Sequence, residues 1–328
     1  MRSIRPLTAT PLVALAAVIL AGCASPTTEA EPAAEAEATT VTVEDNHGEQ
    51  TVTTPPKRVV ATDNRTIAML DSWGVEVVGA PLDIFPAGLS FKDDPNVANL
   101  GNHREPDLEA VVAADPDLIV NGQRFSTYYG DFQTLVPDAT IVELDPRDGE
   151  PLDAELKRQV TALGEIFGKQ DEAATLVADF DAAIDRVKAA YDTSETAMGL
   201  ITSGGEINYA APTTGRTLGP VYDILGLTPA LDSEGSTDHQ GDDISVEAVA
   251  SSNPDWILVM DRDAAVSVNT DEAYTPANDL ISNSEALKNV TAVTEGNVVY
   301  MPQGTYLNEG IETYTQFFND LADALEGR

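Results

Sequence analysis

Two stretches of the chain repeat each other at an offset of 138 residues. Leu108-Glu109-Ala110-Val111 leads to Pro116-Asp117-Leu118-Ile119-Val120, and Val246-Glu247-Ala248-Val249 leads to Pro254-Asp255-Trp256-Ile257-Leu258. Each copy reads as a helix, a Pro-Asp turn and a buried strand. A period this long, present twice, does not describe a solenoid and points instead to two related lobes, each with its own sheet. Carrying the same offset past the strands aligns Arg124 with Arg262, each a few residues beyond a strand end. Loops at the carboxyl ends of parallel strands are where open α/β sheets hold ligands, so each lobe is expected to present one guanidinium to a shared cleft.

Between the copies, Ala173, Leu176, Val177, Phe180, Ile184, Val187 and Tyr191 follow helical spacing, and no Gly or Pro interrupts Asp171 to Tyr191. One long amphipathic helix is expected there, placed as a strut between lobes. On either side, apolar segments such as Arg58 to Ala61, Leu118 to Val120, Trp256 to Val259 and Asn297 to Tyr300 read as strands alternating with helices. That is the pattern of an α/β fold with largely parallel sheets.

The amino-terminal segment carries Arg2 and Arg5, an apolar run from Pro11 to Leu20, then Ala21-Gly22 before the only cysteine, Cys23. This is a secretory signal pattern, and the run is shorter than the roughly 20 residues that span a bilayer. Leu20-Ala21-Gly22-Cys23 resembles the bacterial lipobox, so Cys23 is expected to carry a lipid after cleavage. A single cysteine allows no internal disulfide. The small, acidic residues 24 to 40 read as a disordered tether. The expected organisation is therefore a signal peptide at 1–22, a lipidated tether at 23–40, an N-terminal lobe at 41–168, the linking helix at 169–192 and a C-terminal lobe at 193–328.

Removing Arg2 and Arg5 leaves 18 − 2 = 16 basic residues against 55 acidic ones, a net formal charge of 16 − 55 = −39. Such a balance argues against nucleic acid or an anionic lipid surface as the main partner. No G-x-G-x-x-G after a strand, G-x-x-x-x-G-K-[ST], G-x-S-x-G or H-E-x-x-H occurs, which leaves nucleotide binding, serine hydrolysis and zincin chemistry without a motif. His47, His103 and His239 are too far apart in sequence to form a local metal site. No catalytic residue is assigned, no cofactor is expected, and a lipid-tethered enzyme remains the alternative of another class.

From about Val41 to Leu325 the chain resembles the iron-siderophore and cobalamin binding proteins of ABC importers. The resemblance rests on Val41-Thr42-Val43-Glu44-Asp45 with Gly48, Pro56-Lys57-Arg58-Val59-Val60, Trp73 to Gly79, Gly101-Asn102 with Glu105-Pro106, and both Pro-Asp strand entries. It implies two Rossmann-like lobes joined by a single long α-helix, the class III periplasmic binding protein architecture. It implies a monomeric receptor on the outer face of the cytoplasmic membrane, delivering its ligand to an ABC permease.

Thr62 to Thr66, Gly122-Gln123-Arg124, Leu218 to Gly226, Asp261-Arg262 and Thr305-Tyr306-Leu307 are most similar to the branch that binds iron(III) catecholate siderophores. That branch implies three arginines around the chelate: Arg124, Arg216 and Arg262. His239 and Tyr306 are implied as further ligand contacts, completing the iron shell when the siderophore is tetradentate. Glu109 and Glu247, superposed by the offset, are implied as the permease-docking residues. Haem, cobalamin and hydroxamate siderophores are the alternative ligands for the same fold.

Overall fold

The computed structural model describes residues 39–85, 88–102, 105–231, 233–267 and 274–327. Cys23, the signal segment, most of the tether and His103 lie outside these residues. The first described element, Thr39–Asp45, pairs antiparallel with Gly48–Thr54. Thr39 and Thr40 therefore belong to a strand, two residues inside the segment expected as tether; Thr39 pairs with Thr54 and Thr40 with Thr53.

The N-terminal lobe is built on a parallel sheet ordered Ala98–Asn99, Val77–Ala80, Val59–Ala61, Leu118–Asn121 and Thr140–Glu143. The C-terminal lobe has Thr228–Pro229, Thr196–Ser203, Trp256–Asp261 and Val298–Tyr300 in parallel order, and Glu206–Ala210 pairs antiparallel with Thr196–Ser203. The central strands are buried on both faces, as parallel sheets require. Leu118 and Val120 face the main core while Ile119 faces a separate outer cluster with Val111 and Phe132. Trp256, Leu258 and Met260 face the main core while Ile257 and Val259 join Val249 and Ile281 on the outer side.

The two repeat copies fold alike down to their capping bonds. Helix Leu108–Ala114 starts with the Asp107 side chain accepting from Ala110 N and ends at Asp115 with φ 47°; helix Val246–Ser252 starts with Ser245 accepting from Ala248 N and ends at Asn253 with φ 46°. Both caps satisfy amide groups that would otherwise be orphaned at a helix start. The Asp of each Pro-Asp turn then ties down the neighbouring strand. Asp117 accepts from the amides of Lys57 and Arg58 (2.8 and 3.0 Å), and Asp255 accepts from Thr196 N at 2.7 Å. Arg58 and Thr196 are themselves separated by 196 − 58 = 138 residues.

The linking helix runs Gln170–Ala190, burying Ala173, Phe180, Ala183, Ile184 and Val187. It packs between Leu152–Phe167 and the C-terminal helix Ile311–Glu326, with Phe180 stacked on Phe318 at 5.7 Å and Arg186 paired to Asp323 (2.6 Å) and Glu326 (2.8 Å). In each sheet the chain order reverses beside a central strand, between Val59–Ala61 and Leu118–Asn121 in one lobe and between Thr196–Ser203 and Trp256–Asp261 in the other. Loops leaving these four strands, together with those after Glu206–Ala210 and Val298–Tyr300, carry the candidate site.

Candidate functional site

Arg124 follows strand Leu118–Asn121 on a 3-10 turn, Gln123–Tyr128, whose first residue takes a left-handed φ of 49°. The turn is held from below: Asp145 accepts the Gln123 amide, and Asp63 packs under Gly122. A Cβ at Gly122 would sit 2.9 Å from the Asp63 carboxyl carbon, so only glycine allows this approach. Arg262 opens helix Arg262–Ser267 directly after strand Trp256–Asp261, and Asp261 fixes that junction by accepting from Ala264 N (3.0 Å) and Ala277 N (2.8 Å). Arg216 sits in a coiled loop between Glu206–Ala210 and helix Gly219–Leu225. Thr213 and Thr217 have φ of 65° and 63°, and a Cβ at Gly215 would lie 2.5 Å from Ala211 N. Positive φ at two threonines is strained backbone of the kind kept where a side chain must be held in one place.

These loops, far apart in sequence, meet around Tyr306. The guanidinium carbons of Arg124, Arg216 and Arg262 lie 5.4, 4.9 and 4.7 Å from its ring centroid, within cation–π range. Tyr306 is buried on the 3-10 turn Thr305–Leu307. Burial alone would raise its phenol, but a hydrogen bond from Arg124 and the charges of all three arginines outweigh it and bring the group below the ordinary tyrosine range. Arg262 donates to Ser203 Oγ at 3.2 Å. The Nε atoms of Arg124 and Arg262 are buried and hydrogen-bond to no group among the described residues.

Beneath Arg216 lies an ion network centred on Glu309, a residue with no role in the sequence reading. Glu309, 1 % exposed, accepts from Arg216 Nη2 (2.9 Å) and Nε (3.2 Å), from Thr217 Oγ1, and from Gln123 Nε2 (3.2 Å), with Arg65 Nη2 3.6 Å away. Burial would raise its carboxyl, yet Arg216 and Arg65 prevail and hold it at about 2. Arg65 also faces Asp145 at 3.5 Å, while burial and the Asp145 charge push Asp63 well above the usual carboxylate range. Because Arg65 and Gln123 belong to the first lobe and Glu309, Arg216 and Thr217 to the second, the network joins the lobes at the cleft floor. Asn64 adds a further bridge, donating to Leu307 O at 3.0 Å. A cavity of about 850 Å³ opens beside it, lined by Arg65, Gln123, Arg147, Thr213, Arg216 and Glu309 among others. That volume suits a small-molecule guest.

The other expected residues lie at the periphery. His239 is half exposed in a turn, its recorded neighbour being Asp238 at 3.9 Å. Its loop reaches the cleft through Gln240, which shares Ser203 Oγ with Arg262. Glu109 and Glu247 are exposed on the first turns of their matching helices. No group of three or more His, Cys, Asp or Glu side chains is gathered for a metal among the described residues. Arg65 and Glu309 could have been suspected only from their flanking segments, Thr62 to Thr66 and Thr305 to Leu307, which the resemblance quotes without giving either residue a role.

Paired α/β lobes bridged by one helix, with a cationic cleft at both switch points, are the build of a class III solute receptor. The chain belongs to the periplasmic binding protein family, whose model matches residues 59–305. It is 31 % identical over 277 residues to the petrobactin-binding protein YclQ of Bacillus subtilis, covering 83 % of each chain. It is 30 % identical over 286 residues to the ferric-anguibactin-binding protein FatB of Vibrio anguillarum, covering 86 % of this chain and 87 % of that one. The crystal structure of YclQ superposes with a TM-score of 0.74 at 28 % identity, over 88 % of this chain and 99 % of that one.

Proposed function

We propose that this protein is an extracytoplasmic receptor that captures an anionic iron(III) siderophore, of the catecholate type, and delivers it to an ABC importer. The observation that carries the reading is the convergence of three guanidinium groups from three separate loops on one buried phenol. Two relatives at 30 % identity or more are named for ferric or siderophore ligands, which supports the ligand class. Iron(III) held by three catecholates carries 3 − 6 = −3, spread over outward-facing oxygens. Arginine remains charged and offers several planar donors to such oxygens, which a lysine ammonium does not. The family is one of binding receptors, and the role assigned here is capture and hand-over without chemical conversion.

The same reading anchors the mature chain by a lipid on Cys23 and lets it act as a monomer. It gives Glu109 and Glu247 the permease contacts, one on each lobe. With a tetradentate siderophore, Tyr306 and His239 would supply the remaining iron ligands; the lowered Tyr306 phenol favours such a role.

Fluorescence quenching of the unlipidated mature chain tests the reading, with iron(III) tris-catecholate, iron(III) tris-hydroxamate, haemin and cobalamin titrated in parallel. Saturable quenching by the catecholate is expected, weakened about ten- to a hundredfold in Arg124→Ala or Arg262→Ala, the loss of one charge-assisted contact. Saturation by the neutral hydroxamate alone, untouched by these substitutions, would overturn the ligand assignment.

A further inference from the structure

Arg216 is committed inside the protein more fully than Arg262, which donates one nitrogen to Ser203 Oγ (3.2 Å) and faces Asp263 at 3.7 Å. Arg216 Nε and Nη2 both donate to Glu309, so one whole edge of the guanidinium fork is committed before any guest arrives. Glu309 is itself over-determined. Thr217 Oγ1 and Gln123 Nε2 donate to it, and the Arg65 side chain donates to its backbone carbonyl at 3.4 Å. Gln123 is the residue next to Arg124, so Glu309 also steadies the turn that carries the second arginine.

The charge balance is equally specific. Arg65 stands between Glu309 (3.6 Å) and Asp145 (3.5 Å), and the Asp145 charge offsets its own in the sum. The three arginines around Tyr306 contribute +3, while Glu309 and Asp263, the latter 3.7 Å from Arg262, contribute −2, which leaves 3 − 2 = +1 at the cleft floor. A buried carboxylate so close to an anion-binding cluster works against affinity for anions at large. Its place at the junction of both lobes gives it another use.

We propose that Glu309 is a positioning and specificity-determining residue, which aims Arg216 over Tyr306 and sets the cleft charge so that chelates of lower negative charge are favoured over a chelate of −3. This inference rests on the iron-siderophore reading and narrows it to a charge class. An unopposed third guanidinium would favour the most anionic iron chelates. With Glu309 present, the preference moves toward complexes such as an iron(III) bis-catecholate, which carries 3 − 4 = −1.

The test compares affinities of wild type, Glu309→Gln and the charge-balanced double variant Arg216→Gln/Glu309→Gln for a hexadentate iron(III) tris-catecholate and a tetradentate iron(III) bis-catecholate. Removing the carboxylate charge that pairs with Arg216 should shift the affinity ratio toward the −3 chelate by about tenfold or more in Glu309→Gln. The double variant removes one positive and one negative charge and so keeps the wild-type net charge, carried by Arg124, Arg262 and Asp263. Its ratio should return to within about threefold of wild type, a result that holds even if the single variant does not fold. An unchanged ratio in Glu309→Gln, or a double variant that keeps a shifted ratio, would overturn the proposal and leave Glu309 a structural link. A wild type that binds neither chelate would instead overturn the siderophore reading itself.

Discussion

Glu309 is ionised in the fold at a pH where the same side chain in an unfolded chain would be protonated, and this has a sign that can be measured. Its carboxyl is held at about 2 instead of 4.5, so its contribution to stability is complete above about pH 4.5 and is lost as pH falls toward 2. A shift of that size corresponds to about 3 kcal/mol. Asp63 is shifted the other way, mainly by burial, and its contribution grows as pH falls. Thermal melts of wild type and Glu309→Gln separate the two: the variant should lose much less Tm than wild type across the acid range. Gly122→Ala tests the support under Arg124. The added methyl meets the Asp63 carboxyl at 2.9 Å, so we expect about 1–3 kcal/mol of lost stability together with weaker chelate binding. Arg124 and Arg262 were legible in the sequence because duplication places them at one offset, and Arg216 came from the resemblance alone. Arg65 and Glu309 were not legible, since they lie 309 − 65 = 244 residues apart and only the closing of one lobe on the other makes them neighbours.

Helices and strands were more readable than side-chain networks because their signals are local. The linking helix announced itself by an unbroken apolar stripe, and the structure places it at Gln170–Ala190, within a residue or two of the expected span. The Pro-Asp turns announced strand entries, but not that each aspartate would cap the start of a neighbouring strand about sixty residues upstream, a pairing only the sheet order reveals. The early strand at Thr39 escaped notice because Thr39 and Thr40 are small and polar and only their pairing with Thr54 and Thr53 orders them. Gly164 decides how closely two of the spine helices cross. In an exposed helix, Gly to Ala gains up to about 1 kcal/mol, but here the new methyl would stand 2.6 Å from Ala173 Cβ and 3.2 Å from Lys169 O. The clash should win, so Gly164→Ala is expected to lower stability by about 1–3 kcal/mol, and Ala173→Gly in the same chain should recover part of the loss in denaturant titrations.

At the scale of the whole molecule, the chain carries 55 acidic against 18 basic residues, and arginines among the latter floor the cleft. An anionic chelate is therefore repelled at a distance and attracted at contact. Raising salt toward roughly 0.15 M shortens the screening length to about 8 Å and should speed association, while the buried arginine contacts, screened less, keep dissociation nearly constant. Stopped-flow quenching at several ionic strengths reads both rates. Reversing Glu109 or Glu247 to Lys should leave chelate affinity unchanged and abolish iron uptake in cells that depend on this receptor, because both side chains stand on exposed helix turns on separate lobes. The linking helix is flanked by Leu152–Phe167 on one side and by Ile311–Glu326 on the other. A protein threaded across a membrane from its amino end can build the first sheet from residues 59 to 143 as they emerge, but the linking helix lacks its second partner until residues 311 to 326 arrive. The cleft, which needs Tyr306 and the helix that follows it, is therefore complete only after residues 305 to 326 have crossed, and the stretch before them cannot by itself offer both walls of the trap to a passing ligand.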